Sequence, residues 1–229
     1  TCLIDQFIPE NPLTMGDQGY DNAQRGATTG AEQVELDGIA INSPEAVVEH
    51  LERFVFPELR QKIASFDEDQ RVGEILAGEA EMQAQLGPGI LKSGYGFIAF
   101  PKFAYTIYGY VPYFQAYALY PDIIERHFAL QADYALLNNR AAARAYREGN
   151  LPPLYRLDHD IADSRGTLVS LKSLDRLWLP HFARCLEPML NTDVCMIWHC
   201  DGNLMALVPR LLDIGIRGFQ GFQYEDGMD

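Results

Sequence analysis

Two short polar clusters hold the residues whose types and spacing are best suited to chemistry. The first contains His159-Asp160 and the second His199-Cys200-Asp201, and each closely follows an apolar run that we predict to be a strand. Alternate residues of an extended segment point the same way, so we expect His199 and Asp201 to share one direction. An imidazole beside a carboxylate can bind a metal ion or transfer a proton. We therefore take Asp160, His199 and Asp201 as candidate catalytic residues.

The metal hypothesis has a structural alternative. A histidine that only forms a hydrogen bond with a nearby carboxylate gives the same pattern, and a zinc site needs at least three protein ligands. His199 and Asp201 are two candidate ligands, and the sequence shows no evident third. His159 or Asp160 completes a metal site only if the two clusters converge in space.

The segment between residues 103 and 120 is unusually aromatic, with eight Phe or Tyr among its 18 residues. Packing in a core is the more common role for any single one of these rings. Aromatic faces also stack on planar groups and can form the wall of a ligand pocket. We expect Tyr105 and Tyr108, together with His159, to contact a substrate.

Strands and helices alternate in the second half of the chain. Ser43 and Pro44 mark the start of an earlier helix whose apolar stripe extends to Val55. Further helices are predicted over 69–86, 121–149, from Ser170 or Ser173, and over 204–214, with strands over 94–101, 151–158, 194–198 and 216–222. This alternation is typical of parallel βαβ units, in a barrel or a doubly wound sheet. Residues 9–38 have no period and are expected to be irregular.

Charge and composition exclude several classes of protein. The 229 residues include 18 Lys and Arg against 32 Asp and Glu, which gives a net charge of −14. A nucleic-acid-binding domain needs a basic face, so we expect no nucleic-acid partner. Four cysteines are too few for a disulfide framework, and no apolar run reaches the roughly 18 residues of a membrane helix. We expect a folded cytoplasmic protein with no membrane partner.

Several segments together resemble the uroporphyrinogen decarboxylase superfamily in their order and spacing, from about Phe97 to Asp229. The segments that carry the resemblance are HDIADSRGTLVS (159–170), WLPHF (178–182), IWHCDGN (197–203), GI (215–216) and YEDGMD (224–229). The resemblance implies a single (β/α)₈ TIM barrel domain over residues 1–229, with its active site at the carboxyl ends of the strands. It also implies further β/α units beyond Asp229, so we expect the barrel to be incomplete at its C-terminus. The start at Thr1, without a methionine, suggests sequence missing upstream.

One branch of this family contains methyltransferases that work with a corrinoid-carrying protein. There the resemblance implies a zinc ion, held by a His-x-Cys-Gly strand end and a later cysteine, which activates a thiol. His199 matches that histidine, and Asp201 stands where the cysteine would be. Our leading hypothesis is a methyltransferase-like enzyme that acts on a small methylated substrate or methyl acceptor, with a homodimer as a further expectation. Asp160 would then orient or protonate the substrate.

Two alternatives remain open. The first is decarboxylation of a porphyrinogen, which needs no cofactor but does need cations for an octa-anion; the family's arginine-bearing N-terminal segment has no counterpart here. Lys102, Arg156 and Arg165 are the nearby positive residues. The second is a non-catalytic member that binds a tetrapyrrole or a partner protein, in which Asp160 and His199 would be engaged in structural hydrogen bonds.

Overall fold

A computed structural model describes residues 2–3, 34–221 and 223–228. Most of the segment predicted to be irregular, residues 9–33, lies outside the described residues. Its final part is a β-hairpin rather than an irregular loop. Asp37 and Gly38, both with positive φ, form the two-residue turn between its strands. An Asp-Gly pair is a strong hairpin signal, because both central residues of such a turn need positive φ.

The described part of the chain folds into helices and short strands. The helices are α1 (Pro44–His50), α2 (Phe56–Ala64), α3 (Glu68–Leu86), α4 (Tyr105–Tyr108), α5 (Tyr110–Leu119), α6 (Pro121–Gly149), α7 (Leu171–Leu177), α8 (Leu179–Leu190) and α9 (Val208–Ile214). A π-helical turn, Leu51–Val55, joins α1 to α2, and a 3₁₀ turn covers Tyr224–Asp226. No helix in the described ranges has the length and apolar character needed to cross a membrane.

The helix boundaries follow local capping chemistry. The Ser43 hydroxyl accepts a hydrogen bond from the N–H of Ala46, as predicted for the start of α1. Ser170, and not Ser173, begins α7, because its hydroxyl accepts from the backbone N–H of the latter. Asn150 adopts the left-handed conformation that ends α6. The last predicted helix begins later than expected, since residues 205–207 form turns before α9.

The described strands are β1 (Cys2–Leu3), β2 (Glu35–Leu36), β3 (Ile39–Ala40), β4 (Leu91–Lys92), β5 (Leu154–Asp158), β6 (Ala162–Asp163), β7 (Gly166–Thr167), β8 (Cys195–His199) and β9 (Gly218–Gln220). Strands β5, β8 and β9 form a parallel sheet in chain order, and β1 pairs in parallel with β4. The protein is therefore mixed α/β with a parallel sheet. The described strands do not close into a barrel, so the expected complete TIM barrel is not observed.

Residues 94–101 do not form the predicted strand. Gly94 makes an isolated parallel bridge with Tyr155, and the backbone that follows pairs with side chains. The N–H of Ile98 donates to the Tyr155 hydroxyl at 2.7 Å, and Ala99 exchanges two hydrogen bonds with the Asn139 amide. The segment is apolar because it is largely buried, and side chains from β5 and α6 satisfy its polar groups without a ladder.

The two faces of the three-stranded sheet differ in character. On one face, Trp198 is fully buried and packs edge-on against Trp178 and Phe182, which belong to the helical layer. Alternation places the next residue along β8, His199, on the other face, in register with Asp158 of β5. Helices thus cover one face, while polar side chains occupy the carboxyl end of the other.

Candidate functional site

The two polar clusters meet at the carboxyl end of the sheet. One potential ligand atom from each of Asp160, His199 and Asp201 lies within 4.8 Å of the other two. Both aspartates are exposed and the histidine is half-buried. The structure therefore supplies the third ligand that the sequence could not show, and it comes from the other cluster.

Parallel pairing of β5 and β8 causes this convergence. The ladder extends past the paired residues Asp158 and His199, because the N–H of His159 donates to the His199 carbonyl at 3.3 Å. The N–H of Asp201 then donates to Oδ1 of Asp160 at 3.0 Å and holds that carboxylate beside the second cluster. Carboxyl ends of neighbouring parallel strands lie at one edge of a sheet, so residues about 40 apart in sequence become neighbours.

Gly202 allows the second cluster to fold against the first. Its φ is +86°, a conformation that side-chain-bearing residues rarely adopt, and a Cβ there would lie 2.6 Å from the carbonyl oxygen of Asp163. The same close approach lets the N–H of Asn203 donate to that carbonyl at 2.8 Å. The glycine is therefore needed for the short distance between the β8 end and the β6–β7 hairpin.

The His199 imidazole has bonding capacity to spare. Its Nδ1 is buried and has no hydrogen-bond partner among the described residues. Gly221 packs closely against this ring, since a Cβ there would lie 3.0 Å from Nδ1. A buried nitrogen without a partner is costly, and such atoms often mark a site whose ligand is another molecule or an ion. The imidazole is not held by a structural hydrogen bond at this atom.

The donor set of this cluster is one imidazole nitrogen and two carboxylates. This combination suits zinc, manganese or iron(II), and it is harder than the cysteine-containing sites that favour thiol activation. Cys200 does not add sulfur to the set, because its thiol turns to the other side and accepts the N–H of Ile161 at 3.3 Å. Burial raises the pKa of the Cys200 thiol to about 11, so it stays protonated at neutral pH.

His159 lies beside the cluster as a neutral ring. Its Nε2 accepts the N–H of Phe103 at 2.9 Å, and it stacks on the rings of Phe103 and Tyr105. Burial lowers the pKa of His159 to about 3, so the ring is uncharged at neutral pH. Because Nε2 is an acceptor, the remaining proton is on Nδ1.

The two predicted substrate-contacting tyrosines have different environments. The Tyr105 hydroxyl donates to the backbone carbonyl of Asp160 at 2.5 Å, so this residue lies at the cluster. The Tyr108 hydroxyl is instead hydrogen-bonded to Nδ1 of His50 at 2.8 Å, and Nε2 of the same ring contacts Asp37 at 2.9 Å. The structure does not bring Tyr108 to the cluster; it joins α4 to α1 and to the β2–β3 hairpin.

A cavity of about 350 Å³ adjoins the cluster at Asp160. It lies between the segment after Pro101, the start of α6 and the end of β5. Its lining residues are Lys102, Phe103, Ala104, Tyr105, Thr106, Ile107, His127, Gln131, Asp158, His159 and Asp160. A larger cavity of about 710 Å³ lies at the opposite, amino end of the strands, where it is lined by Leu91 and Pro152 among others. The smaller cavity is the one that shares a residue with the cluster.

Sequence reasoning missed His127 and Gln131, which reach this cavity from α6. The two residues are four apart, one helical turn, and therefore lie on one face. Both amide atoms of Gln131 bind the backbone of Lys102, which fixes the cavity wall. Nothing local distinguishes this pair from other polar residues of a long amphipathic helix.

Most of the nearby positive charge is already engaged. Arg156 is buried and forms an ion pair with Asp158 at 2.7 Å, and it also donates to Gln220. Arg165 is exposed and forms an ion pair with Asp163 on the same hairpin. These two arginines do not form the cluster that a substrate with many carboxylates would need.

No protein-family model matches this chain, and a search of curated proteins and of solved structures gives no significant match to it.

Proposed function

We propose that this protein is a metal-dependent enzyme of the uroporphyrinogen decarboxylase superfamily, on its methyltransferase-like branch. In this proposal it acts on a small methylated substrate or methyl acceptor together with a corrinoid protein. The observation that carries the proposal is the convergence of Asp160, His199 and Asp201 at the carboxyl end of a parallel sheet. Enzymes built on parallel α/β folds place their reacting groups at this end.

The strand order supports the barrel that this family implies. Strands β1, β4, β5, β8 and β9 are neighbours in chain order, with Gly94 bridging from the end of β4 to β5, and every one of these contacts is parallel. A doubly wound sheet reverses its strand order at a switch point, whereas a barrel continues around in sequence. The polar face opposite the helical layer would then be the barrel interior. We propose that the described strands are consecutive members of such a barrel.

Asp160, His199 and Asp201 would hold the metal ion. A bound divalent ion supplies Lewis acidity, which lowers the pKa of a thiol or water that binds to it. The surrounding residues position the ligands: the Asp201 N–H holds the Asp160 carboxylate, and the Tyr105 hydroxyl holds the backbone carbonyl of Asp160. The pairing of Asp158 with His199 between β5 and β8 fixes the position of the imidazole along the strand.

The contacts favour this proposal over the two alternatives. The buried Nδ1 of His199 has no partner in the described part of the chain, whereas a purely structural histidine would be fully hydrogen-bonded. A porphyrinogen decarboxylase would need several free cations. Arg156 and Arg165 are bound to carboxylates, which leaves Lys102 as the one of the three predicted positive residues without an ion pair in the described part of the chain. The decarboxylase and the non-catalytic binding protein are therefore less well supported by this geometry.

Titration of zinc into the full chain, with the heat of binding measured by calorimetry, tests the metal site. We expect one zinc ion per chain. His199→Ala should lower the zinc affinity by more than about 100-fold, because changing residues that only contact a metal ligand already lowers metal affinity about 10- to 100-fold. Asp201→Cys should retain zinc, since a thiolate is a softer zinc ligand. The exposed Asp193 provides the control, and Asp193→Ala should bind zinc normally. Equal zinc affinity in His199→Ala and the unaltered protein would refute the site.

Methyl transfer is tested separately with methylcobalamin as donor and a small thiol as acceptor. The expected reaction forms a thioether and cob(I)alamin, and the absorbance of methylcobalamin falls as it proceeds. His199→Ala should show no reaction above background. Zinc binding without any methyl transfer to a range of thiols would retain the metal site and refute the methyltransferase assignment.

A further inference from the structure

The wall of the cavity beside Asp160 includes Lys102, which forms no ion pair with any described residue. The Lys102 ammonium lies 5.0 Å from the centre of the Phe100 ring. The ion pairs that the described lysines form involve Lys62 and Lys92, not Lys102. Partial burial lowers the pKa of Lys102, and attraction from Asp158 opposes this effect. A cation that lines a cavity and lacks a protein counter-ion favours an anionic ligand.

Asp158, whose carboxylate attracts the Lys102 ammonium, already has hydrogen-bond partners of its own. Asp158 accepts hydrogen bonds from Arg156 at 2.7 Å and from the Tyr95 hydroxyl at 3.0 Å. The negative charge of Asp158 is therefore mainly neutralised by Arg156, which carries one positive charge. Among the described residues that line the cavity, Lys102 is the cation, and it has no ion-pair partner there.

Two imidazoles line the same cavity. His127 is buried, and its Nδ1 has no hydrogen-bond partner in the described ranges. His159 keeps its proton on Nδ1, because its Nε2 accepts from Phe103. The imidazoles add hydrogen-bonding capacity. The other charged side chains among the described lining residues are Asp158, which is paired with Arg156, and Asp160, which belongs to the candidate metal centre.

The size and the remaining walls limit the ligand further. A volume of about 350 Å³ is near the lower end of the range for small-molecule sites, about 300–1,000 Å³. Ala104, Tyr105 and Ile107 provide apolar surface. One cation suits one carboxylate, and the space suits a compact body rather than a tetrapyrrole with eight carboxylates.

We propose that this cavity binds a small organic acid through its single carboxylate, which Lys102 holds, and directs the rest of the molecule towards Asp160 and the candidate metal centre. The assignment deepens the proposed function and rests on it for the reacting end of the substrate. The carboxylate end rests only on the cavity. The substrate class is thus a small monocarboxylic acid.

Three probes of matched shape test the assignment: butyrate, butyramide and butylamine. Their binding to the full chain is measured by ligand-observed NMR, without metal and with saturating zinc. Butyrate should bind at least about tenfold more tightly than the two others, since a charge-assisted hydrogen bond contributes about that much. Lys102→Met should lose this preference, and Lys102→Arg should keep it within a few-fold. Lys172→Met removes an exposed lysine and should change nothing.

Zinc affinity separates this proposal from the proposed function. Lys102→Met should bind zinc as the unaltered protein does, which also shows that the variant is folded. Tight butyrate binding without any zinc binding would refute the metal centre and retain the cavity assignment. Normal zinc binding, with butyrate bound equally by Lys102→Met and the unaltered protein, would refute the cavity assignment alone.

Discussion

Replacing His127 by Phe should remove a large pH-dependent component of stability. The imidazole is buried against the ring of Phe56, and its Nδ1 has no partner among the described residues. Burial lowers the pKa of His127 from the ordinary 6.5 to about 4. The unfolded chain therefore takes up a proton on this residue at a higher pH than the folded chain does. The contribution of neutral His127 to the free energy of unfolding is therefore fully present above pH 6.5 and is lost as the pH decreases towards 4.

The size of this effect follows from the two pKa values. At pH 5 the unfolded histidine is almost fully protonated and the folded one is mostly neutral. The difference corresponds to about 2 kcal/mol of lost stability between pH 7 and pH 5. At pH 7 the Phe variant should be no less stable than the unaltered protein, because it removes a buried nitrogen that lacks a partner.

Urea denaturation at pH 7 and pH 5 measures the effect. The acid groups of the protein contribute equally to both chains, so the quantity of interest is the difference between the two losses. His181→Phe is the control, since His181 is less buried, with Glu125 at 3.9 Å, and should remove a smaller share. If the unaltered protein and His127→Phe lose the same stability over this interval, His127 is not buried in a neutral form.

Two further substitutions test contacts that the fold created. Tyr108→Phe should destabilise the protein by about 1–2 kcal/mol, measured by urea denaturation, because it removes the hydrogen bond to the buried His50. The exposed Tyr224 offers a matched change, and Tyr224→Phe should cost nothing detectable. Gly202→Ala should lower the free energy of unfolding by about 1–3 kcal/mol, because alanine disfavours the positive φ and its Cβ would clash with Asp163 of the β6–β7 hairpin. It should also weaken zinc binding. Normal zinc affinity in a folded Gly202→Ala protein would contradict the positioning role given to this glycine.

Several elements were predictable because their causes are local. The start of α1 at Ser43 and the end of α6 at Asn150 follow from capping residues, and β8 follows from an apolar run, although it covers Cys195–His199 rather than the predicted 194–198. The Asp37-Gly38 hairpin turn was missed although its signal is present in the sequence. The strand predicted over 94–101 was wrong, since a short apolar run does not distinguish a strand from a buried loop.

The sequence alone identified Asp160, His199 and Asp201 as chemically competent, because each lies at or just beyond the end of a predictable strand. Tertiary structure decided that these three converge, since only the parallel pairing of β5 with β8 brings the two ends together.

The cavity beside the candidate metal centre was also decided by tertiary structure. Lys102, His127 and His159 come from a loop, a helix and a strand end that no short-range pattern connects. Tertiary structure also placed Tyr108 away from the site, because its hydroxyl is hydrogen-bonded to His50, which is 58 residues away in sequence. Local chemistry selects which residues can react, and long-range packing determines which of them meet.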